Sequence, residues 1–326
     1  MLYLTEIWAS RIFSFYTHSP QFPLSAPLPL HLHEDHLGIT KVIVPVAGMG
    51  TRLLPTTRAL PKEMLPVGRY PTIQYVVDEL TAAGLSDLFF VTSPSKEIIE
   101  RQFEDPDGGN GTTSKLTLTF KVQQAPPGWT KPGGTGVAIA MAESFSDGNH
   151  FVVAYGDTII RSTNTPSFIE RMIAIHEQTE ADATIAVRAV SEAKIPRYGI
   201  VKPSEGEDPS SEYFTISDIV EKPSIKEAPS NLAVSARYIF SPAIFEHINK
   251  LGPARESEVG ITDAIRTLIE EGGKVCCVPL IAGETRYDIG NHESYFKAFI
   301  DYALADPDCG EAIRTYLATV SNGPKA

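Results

Sequence analysis

Residues 41–66 read KVIVPVAGMGTRLLPTTRALPKEMLP, and this stretch decides the fold. Val42, Ile43, Val44 and Val46 form a short, mostly β-branched run of the kind that fills a parallel strand covered on both faces. Ala47, Gly48 and Gly50 then remove side-chain bulk, so the backbone can take a positive φ and turn successive N–H groups toward an anion. Thr51 and Arg52 follow at once, and Lys62 comes ten residues later. Pro55 and Pro61 lie between the two cations and prevent one continuous helix. A planar guanidinium fork and a point-charge ammonium after a glycine turn suit phosphate oxygens.

The glycines alone read equally as a tight turn. They are not a dinucleotide fingerprint, because the third glycine is missing and Arg52 stands where a helix would begin. They are not a P-loop either, since no Gly-Lys-Ser/Thr ending follows.

Outward from this stretch the pattern alternates strand and helix. Ile73, Val76, Val77 and Leu80 repeat at helical spacing and Gly84 stops them. Leu88 to Val91 is the next strand, so strand, helix and strand predict a right-handed parallel crossover. Residues 104–114 (EDPDGGNGTTS) read as an exposed connection. Strands are predicted over Leu116 to Val122, Phe151 to Ala154, Thr184 to Val190 and Leu232 to Phe240, with a polar hairpin tip at 203–213. Helices are predicted over Val137 to Ser144, around Ile169 to His176, after Ser241-Pro242 as cap and first residue, and after Thr262 as cap. His176 is read as a boundary residue. A last helix carries Tyr295, Phe296, Phe299 and Ile300.

Val44-Pro45-Val46-Ala47-Gly48-Met49-Gly50-Thr51-Arg52-Leu53-Leu54-Pro55, with Leu60 to Pro66 (LPKEMLP) and Ile73 to Val77 (IQYVV), resembles the sugar-1-phosphate nucleotidyltransferases. Within that family it is most similar to the bacterial UTP:glucose-1-phosphate uridylyltransferases. The resemblance runs from about Ile39 to Leu304. It implies a Rossmann-like α/β fold with a mixed, mainly parallel central sheet flanked by helices. A nucleotide-binding half would span about 39–180 and a sugar-binding half about 181–304. Residues 1–38 would be an N-terminal extension and 305–326 a tail with helical character.

The resemblance also implies roles. Ala47, Gly48, Gly50 and Thr51 would hold the triphosphate, with Arg52, Lys62 and Lys222 as the catalytic cations. Gln124, Gly134 and Gly136 would read the base. Gly199, Glu221 and Asn231 would contact the sugar. Asp157 and Asp288 would hold Mg²⁺, whose hard character suits carboxylate oxygen. From the residues alone, the bland alternatives are a turn cap for each aspartate and a charge pair at a strand end for Glu221-Lys222. The implied reaction is in-line attack of glucose 1-phosphate on the α-phosphate of UTP, with pyrophosphate leaving. The same reaction with dTTP or another sugar 1-phosphate, and a non-catalytic regulatory relative, are the alternatives. Three positions depart from the family pattern: Arg69-Tyr70-Pro71 replaces an acidic residue, Lys and Pro; Val137 replaces a common His; and Gly260 replaces a Gln.

Composition sets the outer limits. The chain has 326 residues, 42% hydrophobic and 21% charged, an ordinary globular balance. Its formal net charge of −12 argues against nucleic acid or an anionic membrane as partner. An anionic substrate must therefore be held by local cations. Cys276, Cys277 and Cys309 have no metal-ligand spacing, and the adjacent pair sits inside the apolar stretch Val275 to Val278, which fits core thiols in a reducing cytoplasm. Residues 1–38 lack the basic and apolar regions of a signal peptide, and no apolar run is long enough to span a bilayer. His31, His33 and His36 there read as a polar segment. A homo-oligomer, dimer or tetramer, is expected from the family.

Overall fold

The structure is a computed structural model that describes residues 38–104, 116–124, 133–252 and 259–321. The readings at 1–37, in most of the 104–114 and 126–136 loops, and at 322–326 lie outside the described residues. The described residues belong to one compact unit, Leu37–Ala326.

Its strands in chain order are β1 (Lys41–Pro45), β2 (Pro66–Val67), β3 (Tyr70–Pro71), β4 (Asp87–Thr92), β5 (Thr117–Val122) and β6 (Phe151–Ala154). There follow β7 (Thr158–Ser162), β8 (Ala183–Ala189), β9 (Gly199–Pro203), β10 (Phe214–Glu221), β11 (Leu232–Phe240), β12 (Val275–Pro279) and β13 (Glu284–Asp288). Nine of them form one sheet in the order β5-β4-β1-β6-β11-β8-β12-β10-β9. The pairings from β5 to β6 are parallel, as is β8 with β12. Those around β10 and β11 are antiparallel. Only these two strands are therefore reversed, and the sheet is mixed but mainly parallel. A further pairing of Ala233 with Ile200 joins β9 back to β11, which curls that end of the sheet on itself.

Successive side chains of β1 point to opposite faces, and each face is covered. Ile43 enters a core with Val153, Ile185, Ile265 and Leu268, while Val42 and Val44 enter another with Val76, Leu80, Ile169 and Met172. The second face carries helices Thr72–Ala82 and Phe168–Thr179; the first carries Gly134–Ala140, Ile244–Leu251 and Ile261–Glu270. Two small ribbons, β2 with β3 and β7 with β13, pack Leu65, Val67, Ile159 and Tyr287 beneath helix His292–Leu304. Gly84, at φ 82°, stops the first helix as predicted.

Several local readings are corrected. The helix expected over Val137 to Ser144 is two, Gly134–Ala140 and Glu143–Ser146. Gly260, in extended conformation, is the N-cap of helix Ile261–Glu270, so Thr262 lies inside the first turn. Its hydroxyl donates instead to Glu221 Oε2 at 2.9 Å. The helix after Ser241-Pro242 begins at Ile244 with Ala243 as cap, and the Ser241 hydroxyl makes no cap bond. His176 is fully buried rather than at a boundary, in a chain of bonds from His150 Nδ1 to its Nε2 and from its Nδ1 to Thr184 Oγ1, both 2.8 Å. Residues Gly310–Ser321 form a terminal helix.

Candidate active site

The carboxyl ends of β1 and β6 lie side by side, and the segments leaving them build the site. After β1 the chain passes Val46 and Ala47 and turns at Gly50, whose φ of 63° lies in the left-handed region that favours glycine. The Gly50 carbonyl accepts from the Leu53 amide at 2.9 Å and from the Thr57 hydroxyl at 2.9 Å, which closes the turn that carries Thr51 and Arg52. Pro61 then leads into a short helical turn, Lys62–Met64. After β6, Gly156 admits close approach: a Cβ there would lie 2.4 Å from Val46 Cγ1 and 2.9 Å from Ile73 Cδ1. That fit sets Asp157 against the glycine loop.

Lys62 Nζ donates to Asp157 Oδ2 at 2.5 Å, and a Cβ on Gly48 would lie 3.5 Å from the same nitrogen. Burial opposes the Lys62 ammonium, but the charges of Asp157 and Glu63 outweigh it and raise its pKa. Burial likewise pushes the Asp157 carboxyl up, yet Lys62, then Arg286 and Lys96, bring it below the ordinary range. The pair is thus held ionised. Asp288, at the end of β13, accepts from the Gly290 amide at 2.8 Å, so it also serves the turn that Gly290 and Asn291 make. A Cβ on Gly290 would lie 2.7 Å from Arg52 Nη2, which places the Arg52 guanidinium beside Asp288.

Beneath the loop lies a staple that the sequence did not announce. Lys96 Nζ, 5% exposed, donates to the Val46 carbonyl at 2.5 Å, the Gly48 carbonyl at 2.6 Å and Glu63 Oε2 at 2.8 Å. Burial lowers the Lys96 pKa and raises that of Glu63. Three acceptors around one buried ammonium fix the carbonyls inward, which leaves the loop N–H groups to face the opposite way.

In the segment expected to read the base, Gln124 is exposed and the neighbouring Gln123 is buried, with its amide donating to the Gly134 carbonyl at 3.3 Å. Gly134 has φ 90° and opens the short helix. Gly136 N donates to the Val259 carbonyl at 2.9 Å, and a Cβ there would sit 2.9 Å from that oxygen. This contact ties the base segment to the residues around Gly260.

Among the residues expected to contact the sugar, Gly199 pairs with Glu221 across β9 and β10. Glu221 Oε1 accepts from Lys222 Nζ at 2.8 Å, and Lys222 takes φ 45° with its amide on the Tyr198 carbonyl at 3.0 Å. Asn231 is exposed, with its carbonyl accepting from Val190 N at 3.0 Å. Arg286 and Arg188, both absent from the sequence reading, face the ring of Tyr198 at 5.3 and 5.6 Å. In a strand, residues two apart share a face, so Arg286 was findable from Asp288. Arg69 does not replace the family's shifted cation at the site, because its fork is spent on Asp306 and Asp308.

Comparison with known proteins bears on this arrangement. A family model described as nucleotidyl transferase matches residues 41–304. The chain is 36% identical over 298 residues to UTP--glucose-1-phosphate uridylyltransferase 1 of Staphylococcus saprophyticus, covering 87% of this chain and 99% of that protein. It is 35% identical to the UTP--glucose-1-phosphate uridylyltransferase of Streptococcus pneumoniae, with 86% and 95% covered. Among solved structures, a UDP-glucose pyrophosphorylase complexed with UDP-glucose superposes with a TM-score of 0.74 at 30% identity, over 82% of this chain and all of that one. The UDP-glucose pyrophosphorylase from Acinetobacter baumannii gives 0.75 at 29% identity, over 86% and 99%. A glycine loop followed by two cations, an opposed aspartate and this extent of shared chain place the protein in the nucleotidyl transferase family.

Proposed function

We propose that the protein joins UTP and glucose 1-phosphate to give UDP-glucose and pyrophosphate. The observation that carries this reading is the convergence of Arg52, Lys62, Asp157 and Asp288 at the carboxyl ends of β1 and β6, where open α/β sheets bind ligands. The names of the relatives and of the superposed structures supply the substrates.

The attacking group is a phosphate oxygen already ionised at neutral pH, so no protein nucleophile or general base is needed. The barrier is repulsion between two anions. The glycine loop N–H groups and Arg52 would bind the β- and γ-phosphates, and Lys62 the α-phosphate, while Lys222 steers the sugar phosphate in line. Gln124, Gly134 and Gly136 would orient the base, and Gly199, Glu221 and Asn231 the hexose.

The donor set also fits Mg²⁺. Among the described residues, Asp157 Oδ1 has only a 3.5 Å contact from the Thr158 hydroxyl, and Asp288 Oδ2 only Arg286 at 3.7 Å, so one oxygen of each carboxylate is left open by them. Two carboxylates completed by substrate oxygens and water suit that ion, which when bound neutralises and orients the phosphates. Among the described residues no group of three or more His, Cys, Asp or Glu could hold a metal without substrate.

A cytoplasmic setting is supported by the free, buried thiols of Cys276 and Cys277. Among the described residues no helix is long and apolar enough to cross a membrane. The expected homo-oligomer is decided by mass from light scattering.

The test is pyrophosphate release with Mg²⁺ over a grid of nucleoside triphosphates and sugar 1-phosphates. Selective release with UTP and glucose 1-phosphate is the expected result. Selectivity for another pair, such as dTTP, would assign Tyr70, Val137 and Gly260 to specificity, and silence across the grid would favour a binding-only regulator.

A further inference from the structure

Arg286 lies on β13 two residues before Asp288, with its side chain 5% exposed. Its Nε and Nη1 are buried without a hydrogen-bond partner, and its Nη2 reaches no closer than 3.7 Å to Asp288 Oδ2. Arg188, on β8, has an equally orphaned Nε. Both guanidiniums face one ring, that of Tyr198, at 5.3 and 5.6 Å, and the Tyr198 hydroxyl is 3.5 Å from Arg188 Nη2. A guanidinium cannot shed its proton in a protein, so both remain charged. Two adjoining cations repel, and unpaired buried donors are costly to keep. Such an arrangement persists where a ligand supplies the missing acceptors.

The missing ligand is anionic, because Asp157 is already paired with Lys62 and Asp288 is engaged by the Gly290 amide, so neither supplies acceptors to the orphaned guanidinium donors. Its position identifies which anion. Tyr198 directly precedes Gly199, and its carbonyl holds the amide of Lys222 at 3.0 Å. The cluster therefore adjoins the sugar segment. Arg286 also acts on Asp157, whose carboxyl it helps keep ionised.

We propose that Arg188 and Arg286, with Tyr198 packed against both, form the subsite that receives the phosphate of the sugar 1-phosphate. This rests on the nucleotidyl transfer proposed above and adds two phosphate-binding residues to it. A tetrahedral dianion offers acceptors to both forks at once, which a sugar hydroxyl does not. The triphosphate would keep its own cations, Arg52 and Lys62.

The test is initial-rate kinetics of the full chain with each substrate varied, for the wild type, R286Q, R188Q and R286K. Loss of a charged hydrogen-bond donor predicts a KM for glucose 1-phosphate raised about 10- to 100-fold in R286Q and R188Q, with partial rescue in R286K. The KM for UTP should stay within about twofold, since each fold-change reads only the contacts removed. A KM for UTP that moves as much, or a KM for sugar phosphate that does not move, overturns the assignment. R188Q carries the test if R286Q fails to fold. A wild-type chain that releases no pyrophosphate overturns the reaction instead, and calorimetric titration of wild type and R188Q with glucose 1-phosphate then decides the subsite without turnover.

Discussion

Lys62 and Asp157, 95 residues apart in sequence, are joined by an ion pair of 2.5 Å at the meeting point of the segments that leave β1 and β6. Each keeps the other charged where burial would neutralise it. The pair couples the cation that would meet the α-phosphate to the carboxylate that would meet the metal. Asp157→Asn and Lys62→Ala should each lower kcat by about 10²- to 10³-fold or more, the usual worth of one preorganised charge. Circular dichroism should show the fold intact. Wild-type turnover in either purified variant would refute the assignment.

Lys96 tests whether the glycine loop is held from below. Lys96→Met removes three donor contacts and strands Glu63, which is 1% exposed. Breaking a buried pair from one side costs about 3–5 kcal/mol. Urea unfolding should show a loss of that order, and Lys96→Met with Glu63→Gln should recover part of it. A loss that is larger in Lys96→Met than in the double variant supports the staple; unchanged stability in both would remove it.

Thr262 separates capping from positioning. If its hydroxyl serves Glu221 at 2.9 Å, Thr262→Val should leave the helix content unchanged and raise the KM for the sugar phosphate about tenfold, the lower end of the worth of one charge-assisted bond. A lost first turn, seen as reduced helical signal with no change in KM, would return Thr262 to the role of a cap.

These cases show what the sequence could and could not disclose. β1, β6 and the helix Thr72–Ala82 were legible because period and β-branching report directly on burial. The glycine loop was legible because Gly50 is demanded by a backbone angle that few residues satisfy. Lys96, Arg188 and Arg286 were not, because a buried charge is explained only by partners on distant strands. Lys96 sits in an ordinary polar helix start, and its meaning appears only when Val46 and Glu63 are brought to it. Thr262 misled for the opposite reason: a Thr before an apolar helical run satisfies the cap pattern, yet the extended Gly260 had already taken that place.

His176 gives the fold a measurable pH dependence away from the site. Its ring is fully buried between His150 and Thr184, and burial, with a smaller contribution from His150, pushes its pKa down to about 3. In the unfolded chain a histidine titrates near ~6.5. Between these values the unfolded state binds a proton that the native state refuses, so stability is full above the unfolded pKa and falls as pH drops toward 3. The slope from this one group approaches ~1.4 kcal/mol per pH unit. Carboxylates add their own acid sensitivity, so the informative quantity is the difference between wild type and His176→Gln. The variant should be less stable at pH 8, having lost a buried fit, and should lose less stability than the wild type on acidification from pH 6.5 to 4. Urea midpoints across that range decide the matter: parallel pH profiles for the two proteins would mean that His176 is already protonated in the native fold.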